Sequence, residues 1–266
     1  SLLSRQIAEL EVVFGVALLA RQSRPFRLTP EGRELAQAAR QFFQVADDIQ
    51  KRASGQAQRV VIGAGETLIQ WLLFPACEAI RKRGADVVFV FKNLESSRLV
   101  EELQHGEVDL ALLRKEEVLP SLSSVGDWRY KHTAFVPKAL SRATTEVKVG
   151  ELAVLPWAVL EGRGHFRQFI ESKARAHGIT ANIALECSSY TQVAMAVQTG
   201  RYAGFLPEFA KNAMFTSGSN CCQRALEANL RYERTLSLAW RDATTRSRPF
   251  VEELIPEMRA KLSRLL

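Results

Sequence analysis

Residues 1–37, SLLSRQIAELEVVFGVALLARQSRPFRLTPEGRELAQ, decide how the rest of the chain is read. Leu3, Ile7, Leu10 and Phe14 recur at spacings of three and four, so residues 1–14 read as a helix with one apolar face. Ser4, Arg5 and Glu11 fall on other faces. Gly15 is the stop, since glycine adopts the left-handed conformation that ends a helix without strain. Leu18 and Leu19 then return the chain to a small core. The segment Arg21-Gln22-Ser23-Arg24-Pro25-Phe26-Arg27-Leu28-Thr29 reads as a turn bearing three arginines. Thr29 caps the next helix, with Pro30 at its first position.

A short helix with polar and basic residues on its open face, followed by an arginine-rich turn, suits a winged helix-turn-helix. The helix enters the major groove, and the turn lies on the backbone or in the minor groove. Ser4 and Arg5 are then the candidates for base-edge contacts. Arg21, Arg24 and Arg27 are candidates for phosphate or minor-groove contacts, with Thr29 closing the DNA-binding set. A structural salt bridge from Arg21 to Glu11 is the alternative for Arg21.

Outward from this stretch, residues 31–53 read as one long helix. Leu35, Phe42 and Ile49 recur every seven residues, with Ala38 and Val45 between them, which makes a heptad seam. That seam predicts dimerisation; the alternative is an amphipathic helix packed on its own domain. Ser54-Gly55-Gln56-Ala57-Gln58 is small and polar and reads as a hinge.

Beyond residue 58 the pattern changes. Apolar strands at 59–63, 87–91 and 108–113 alternate with helices at 67–82 and 96–105, which predicts a parallel sheet covered on both faces. A strand at 133–138 leads into a polar stretch. A second unit repeats the alternation, with strands at 157–160, 183–186 and 202–207 and helices at 166–176 and 190–199. A strand at 236–241 and a helix at 249–266 close the chain. Two α/β lobes joined by more than one crossing predict a ligand cleft.

Composition sets the outer bounds. Of 266 residues, 47% are hydrophobic and 24% charged, as in ordinary globular proteins, and no apolar run approaches a membrane span. The net charge is +7; residues 1–59 hold nine Lys and Arg against six Asp and Glu, so the basic excess is densest at the front, where phosphate contacts would need it. The four cysteines, Cys77, Cys187, Cys221 and Cys222, show no C-x-x-C spacing, which argues against zinc and fits a reducing cytoplasm. Gly63-Ala64-Gly65 tempts a dinucleotide reading, but Leu68 stands where the third glycine should be. The four histidines are scattered. No nucleophile elbow, H-E-x-x-H or P-loop appears, so the expectation is a non-enzyme with no cofactor and no metal.

Taken residue by residue, Ser4-Arg5-Gln6-Ile7, Leu10-Glu11, Gly15, Leu18, Arg21, Arg24, Leu28-Thr29 and Gly32 resemble the DNA-binding motif of LysR-type transcriptional regulators. Phe14 stands where that family usually has Leu, and Leu19 where it usually has Phe. Members begin with a helix before this one, so the resemblance implies a reader that is incomplete at its front. Glu107-Val108-Asp109-Leu110-Ala111-Leu112, Val136-Pro137-Lys138, residues 200–207 and Trp240-Arg241 sit where the family's effector domain has similar short motifs.

The fold class the resemblance implies is α/β: a partial winged helix-turn-helix and a long linker helix, then two Rossmann-like subdomains of type 2 periplasmic-binding-protein architecture. The expected domains are residues 1–29 for DNA binding and 30–58 for the linker, dimerisation helix and hinge. Residues 59–137 with 239–266 form effector subdomain I, and residues 138–238 form subdomain II. The expected partners are double-stranded DNA, a small-molecule effector and a second or further copy of the chain, as homodimer or homotetramer; RNA polymerase is a candidate. The turn at Glu66 and Thr67 would contact the effector, although the distance from Thr67 to Pro75 is one residue longer than the family pattern. Ser96, Arg114, Arg163, His165, Ser189 and Tyr190 open on the same cleft by analogy, with Gly204 and Phe205 from the third strand of the second lobe. Each Ser and Thr has the alternative of a plain helix cap. Arg114, Arg163 and His165 would favour an anionic effector. Peroxide-sensing members carry a cysteine pair in the stretch matching residues 161–178, which here has none. The competing reading is a solute-binding protein, or a stand-alone ligand-binding module without DNA function.

Overall fold

The computed structural model describes residues 2–20, 26–84, 86–141, 145–162, 164–215 and 220–266. Helix α1 (Leu2–Phe14) ends at Gly15, whose φ of 67° is the left-handed stop. Strands β1 (Leu19–Ala20) and β2 (Arg27–Leu28) pair antiparallel, Leu19 opposite Leu28. They are too short for sequence periodicity to show. The Glu11 carboxylate accepts the backbone N–H groups of Leu18 and Leu19 at 2.8 and 3.2 Å, so it serves the backbone. Residues Arg21 and Arg24 lie outside the described residues. Leu3, Leu10 and Phe14 are exposed and Ile7 is half-buried, so the apolar face of α1 is uncovered and only Leu18 is buried in this front segment among the described residues.

Helix α2 (Pro30–Ala53) starts where its cap chemistry predicts. The Thr29 hydroxyl accepts Gly32 N–H at 2.9 Å and donates to the Ala17 carbonyl at 2.7 Å. A Cβ on Gly32 would lie 2.1 Å from the Leu18 carbonyl oxygen, so only glycine fits here. The helix has two working faces. Gln37, Gln41, Gln44 and Asp48, at spacings of four and three, point into the body of the protein. The three amides donate to the carbonyls of Gln104, Ala243 and Gly106 at 2.6, 3.0 and 3.1 Å. The heptad face stays open: Phe42 is 68% and Ile49 54% exposed, with Leu35 half-buried.

The body is one continuous sheet. Its first part holds β3 (Gln58–Ala64), β4 (Val87–Asn93), β5 (Leu110–Arg114) and β12 (Glu233–Trp240). Its second part holds β8 (Trp157–Leu160), β9 (Ile183–Cys187) and β10 (Ala203–Pro207). Strand β6 (Ser123–Pro137) joins them, giving the order β4-β3-β5-β12-β6-β10-β8-β9. Residues 123–131 of β6 pair with β12, and residues 132–137 pair with β10 and with β11 (Cys221–Leu226). The chain therefore crosses between halves at Lys131–His132 and returns at Tyr232–Glu233. The boundaries expected at 137/138 and 238/239 fall at the end of β6 and inside β12.

Helices α5 (Ser96–His105), α7 (His165–Ala176), α8 (Tyr190–Gln198) and α11 (Pro249–Leu265) lie within two residues of their expected bounds. The helix expected over 67–82 is interrupted. It comprises α3 (Glu66–Leu68), a π-helical turn at Ile69–Leu73 and α4 (Phe74–Arg81). A π-turn takes in one more residue than an α-turn. It thus absorbs the surplus residue between Thr67 and Pro75 while Trp71, Leu72 and Leu73 stay buried. The polar stretches that sequence left unassigned contain β7 (Glu146–Val147), α6 (Glu151–Val154), α9 (Ala210–Met214) and β11, with α10 (Asp242–Ser247) before the last helix. Their buried anchor is Arg224, whose guanidinium meets both Glu151 carboxylate oxygens at 2.9 and 2.8 Å.

A buried cation ties α2 to this body. Arg248 Nε and Nη2 donate to the Asp48 carboxylate at 2.6 and 3.2 Å, and Nη1 donates to Asp109 at 2.5 Å. Nη2 also donates to the Arg59 carbonyl at 2.6 Å, and Asp109 accepts the Val61 N–H at 2.8 Å. Burial opposes the charge on Arg248, but the hydrogen bonds to Asp48 and the charge of Asp109 outweigh it and raise its pKa. Arg248→Met would leave two buried carboxylates facing each other without a cation. The expected loss is about 3–5 kcal/mol in urea denaturation, with a smaller loss for Asp48→Asn. An Arg248→Met protein as stable as the parent would show that the node contributes nothing net.

Candidate functional site

Between the two halves of the sheet lies a cavity of about 860 Å³. Its walls come from strand-to-helix turns of both halves and from the crossing strands, the usual place for a ligand in an open α/β sheet. Of the residues expected from sequence, Glu66, Thr67, Ser96, Arg114, His165, Ser189, Tyr190 and Phe205 all line it. Arg163 lies outside the described residues. Gly204 is a correction: it does not line the cavity, and a Cβ there would lie 2.7 and 2.8 Å from Val197 and Val193 of α8. Its role is the close packing of α8 on β10.

The cap alternatives separate cleanly. Ser189 is the N-cap of α8, its hydroxyl accepting from Gln192 N–H at 3.3 Å. Thr67 and Ser96 are not caps, because Gly65 and Glu95 hold those positions. Both residues line the cavity. Gln70 Nε2 donates to Glu66 at 3.1 Å, and the Thr191 hydroxyl donates to Gln70 Oε1 at 2.5 Å, which links the two halves across the cleft mouth.

Sequence reasoning missed the centre of the site. His132, where β6 passes between halves, is buried and stacks on Phe166 at 4.3 Å between ring centroids. Its Nε2 lies 3.0 Å from the Tyr190 hydroxyl. Either group can donate in this pair according to the imidazole tautomer, and Nδ1 is buried without a hydrogen-bond partner among the described residues. Burial, with Arg234 nearby, pushes the His132 pKa down to about 3, so the ring is neutral. Burial raises Tyr190, and raises Tyr130 to about 12. Tyr232 and Arg234 complete the crossing, with the guanidinium 4.8 Å above the Tyr232 ring. The available signal was the alternation Trp128, Tyr130, His132, which places three rings on one face of a strand.

The expected positive bias is not what the described lining carries. Arg114 is ion-paired with Glu117. Arg167 meets Glu171 and Glu186 at 2.8 and 2.6 Å, and Arg234 meets Glu116 at 2.6 Å. Among the described residues no group of three or more His, Cys, Asp or Glu could hold a metal ion.

At the front of the chain, Ser4, Arg5 and Arg27 are exposed, and Arg5 meets Glu9 at 3.0 Å on α1. Thr29, counted with the DNA-binding set, has its hydroxyl committed to Ala17 and Gly32 as described, which makes it a positioning residue for the turn.

Residues 53–262 match the family model "LysR substrate binding domain", and residues 1–33 match "Bacterial regulatory helix-turn-helix protein, lysR family". HTH-type transcriptional regulator MetR of Escherichia coli K12 is 35% identical over 122 residues, 45% of this chain; the matched stretch spans only 38% of MetR. A probable RuBisCO transcriptional regulator of Emiliania huxleyi is 25% identical over 214 residues, 76% of this chain and 68% of that protein. Two solved structures share the fold. A full-length OxyR variant of Pseudomonas aeruginosa has a TM-score of 0.68 at 20% identity, covering 98% of this chain and 84% of its own. CbnR complexed with its target DNA has a TM-score of 0.57 at 18% identity, covering 97% and 88%.

The neutral state of His132 predicts a pH effect. Its folded pKa lies below the unfolded value near 6.5, so its contribution is intact above pH 6.5. It is lost progressively down to about pH 3, as the unfolded chain takes a proton that the folded chain refuses. Between pH 7.5 and pH 5 the parent protein is expected to lose about 2 kcal/mol more than His132→Gln, read by urea denaturation at both pH values. Equal losses would show that the imidazole is not held neutral.

Proposed function

We propose, from the premise that this chain belongs to the LysR family of transcriptional regulators, that it is a DNA-binding regulator whose effector binds between the two halves of its sheet. It acts as a regulator and not as an enzyme. The observation that supports this best is the physical continuity of the parts. A reader turn is fixed to α2 through Thr29 and Gly32, and α2 is fixed to the cavity-bearing body through its glutamine face and Arg248. A change in the body can therefore reach the reader through a stiff helix.

Arg5 and Ser4 would read base edges, and Arg27, with Arg21 and Arg24, would hold phosphates or the minor groove. The open seam of Leu35, Phe42 and Ile49 would take a second copy of α2, giving a dimer or a tetramer. Effector binding would shift the balance between quaternary arrangements. RNA polymerase is a further proposed partner for an activating arrangement. Among the described residues no helix is long and apolar enough to cross a membrane. We place the working protein beside the chromosome, in the cytoplasm. A stand-alone solute-binding module is the second reading, supported by the cavity taken alone.

The two readings part on DNA. Selection from a random duplex library by the complete protein should yield a preferred site, bound with an affinity that falls steeply with salt. Arg5→Ala should lose about 1–3 kcal/mol of discrimination at one base pair. An absence of salt-dependent binding to any duplex would sink the regulator reading. Phe42→Glu should reduce the oligomer in sedimentation while leaving the body folded, because that side chain is exposed in the protomer.

A further inference from the structure

We infer that the cavity selects a planar aromatic molecule with a neutral hydrogen-bonding head group, and rejects multiply charged anions. The inference rests on the reading of this cavity as the effector site. Its first support is the wall. Trp157 stacks on Phe205 at 4.0 Å, Phe205 meets Phe166 edge-on at 5.5 Å, and Phe166 contacts both His132 and Tyr232, at 4.3 and 5.1 Å. All five rings line the cavity, as does Tyr130. Trp157, Phe205 and His132 are buried and back this wall; the half-buried rings of Phe166, Tyr232 and Tyr130 are the ones that offer stacked or edge-on places to another flat ring, which a saturated chain would fill without matching.

The second support is charge. Each arginine of the described lining is already paired within the chain: Arg114 with Glu117, Arg167 with Glu171 and Glu186, Arg234 with Glu116. Two carboxylates, Glu66 in the first turn of one helix and Glu95 at the cap of another, also line the cavity beside the helix starts at residues 66 and 96. An incoming anion would compete with the carboxylates paired to the arginines and be repelled by Glu66 and Glu95. His132, neutral as described, offers no charge either.

The third support is the polar end. Thr67, Asn93, Ser96 and Ser97 line the wall opposite the rings and, among the described residues, have no side-chain hydrogen-bond partner. All are neutral, and together they donate and accept, which suits a hydroxyl, amide or ring N–H. The ligand would lay its ring against Phe166 and Tyr232 and turn its head group toward Thr67 and Ser96.

Thermal shift and tryptophan fluorescence of the full chain test this with indole and benzamide against succinate and inorganic phosphate. The expected result is a saturable rise in Tm with indole or benzamide and none with the two anions. Tyr232→Leu and, separately, Ser96→Ala should weaken the aromatic probes about tenfold; the serine variant guards against a fold defect in the first. A rise with succinate or phosphate that Ser96→Ala abolishes would keep the cavity as the effector site and overturn the aromatic assignment. An aromatic response that neither variant changes would place binding elsewhere and overturn it too. No response to any probe also overturns it, and the regulator reading then stands or falls on DNA binding alone.

Discussion

The guanidinium of Arg248 is the point on which the arrangement of the molecule depends. It sits in a place where a charge is costly, and it is held there by two carboxylates from distant parts of the chain. Asp48 belongs to the helix that leaves the reader, and Asp109 immediately precedes a central strand of the sheet. The amide contacts of the same helix land on residues 104–106 and 243, which are the segments just before Asp109 and Arg248. Fixing the cation therefore holds the end of α5 and the short helix α10 in place, which gives the glutamines carbonyls to bind. Remove the node and the polar contacts that remain, among the described residues, are the three amide hydrogen bonds, each worth about 1 kcal/mol, and the exposed Arg40–Glu107 pair.

The second constraint is that one strand serves both halves of the sheet. Residues 123–137 are a single strand, and the change of partners occurs at His132, whose backbone N–H donates to the Tyr232 carbonyl at 3.0 Å. The two crossings are thus bonded to each other at the place where the halves meet. Rings gather there, and aromatic side chains cover the most area per residue at a crossing of two strands. The same rings form the cavity wall, so what covers the crossing also shapes the site.

Much of the fold could be read in advance because period and punctuation agreed. Thr29 with Pro30 and Gly32, and the alternating apolar strands and amphipathic helices of the body, each carried two independent signals. The failures have physical causes. Strands β1 and β2 are two residues long and show no period. Strand β11 and its neighbours are short and lack a clean period, and they are joined by the buried pair of Arg224 and Glu151, which hydropathy does not register. In the site, the residues on helix-starting turns were legible because turn chemistry is local. His132, Tyr130 and Tyr232 were not, because their importance comes from two crossing strands meeting 100 residues apart in sequence. Gly204 misled for the converse reason: its motif is real, but it answers a packing need beneath α8.

The neutral character of the glutamine face has a consequence for how the molecule answers its surroundings. Phosphate contacts weaken as ions accumulate, whereas amide–carbonyl bonds do not respond to screening, and a buried ion pair responds far less than an exposed one. The joint between α2 and the body consists largely of these insensitive contacts; Arg40 with Glu107 is an exposed exception. On the proposed function, ionic strength would loosen the grip on a nucleic acid without slackening the joint between α2 and the body. Under that proposal, the protein would keep its internal joint in a cell whose salt changes, with only the contact to DNA slipping.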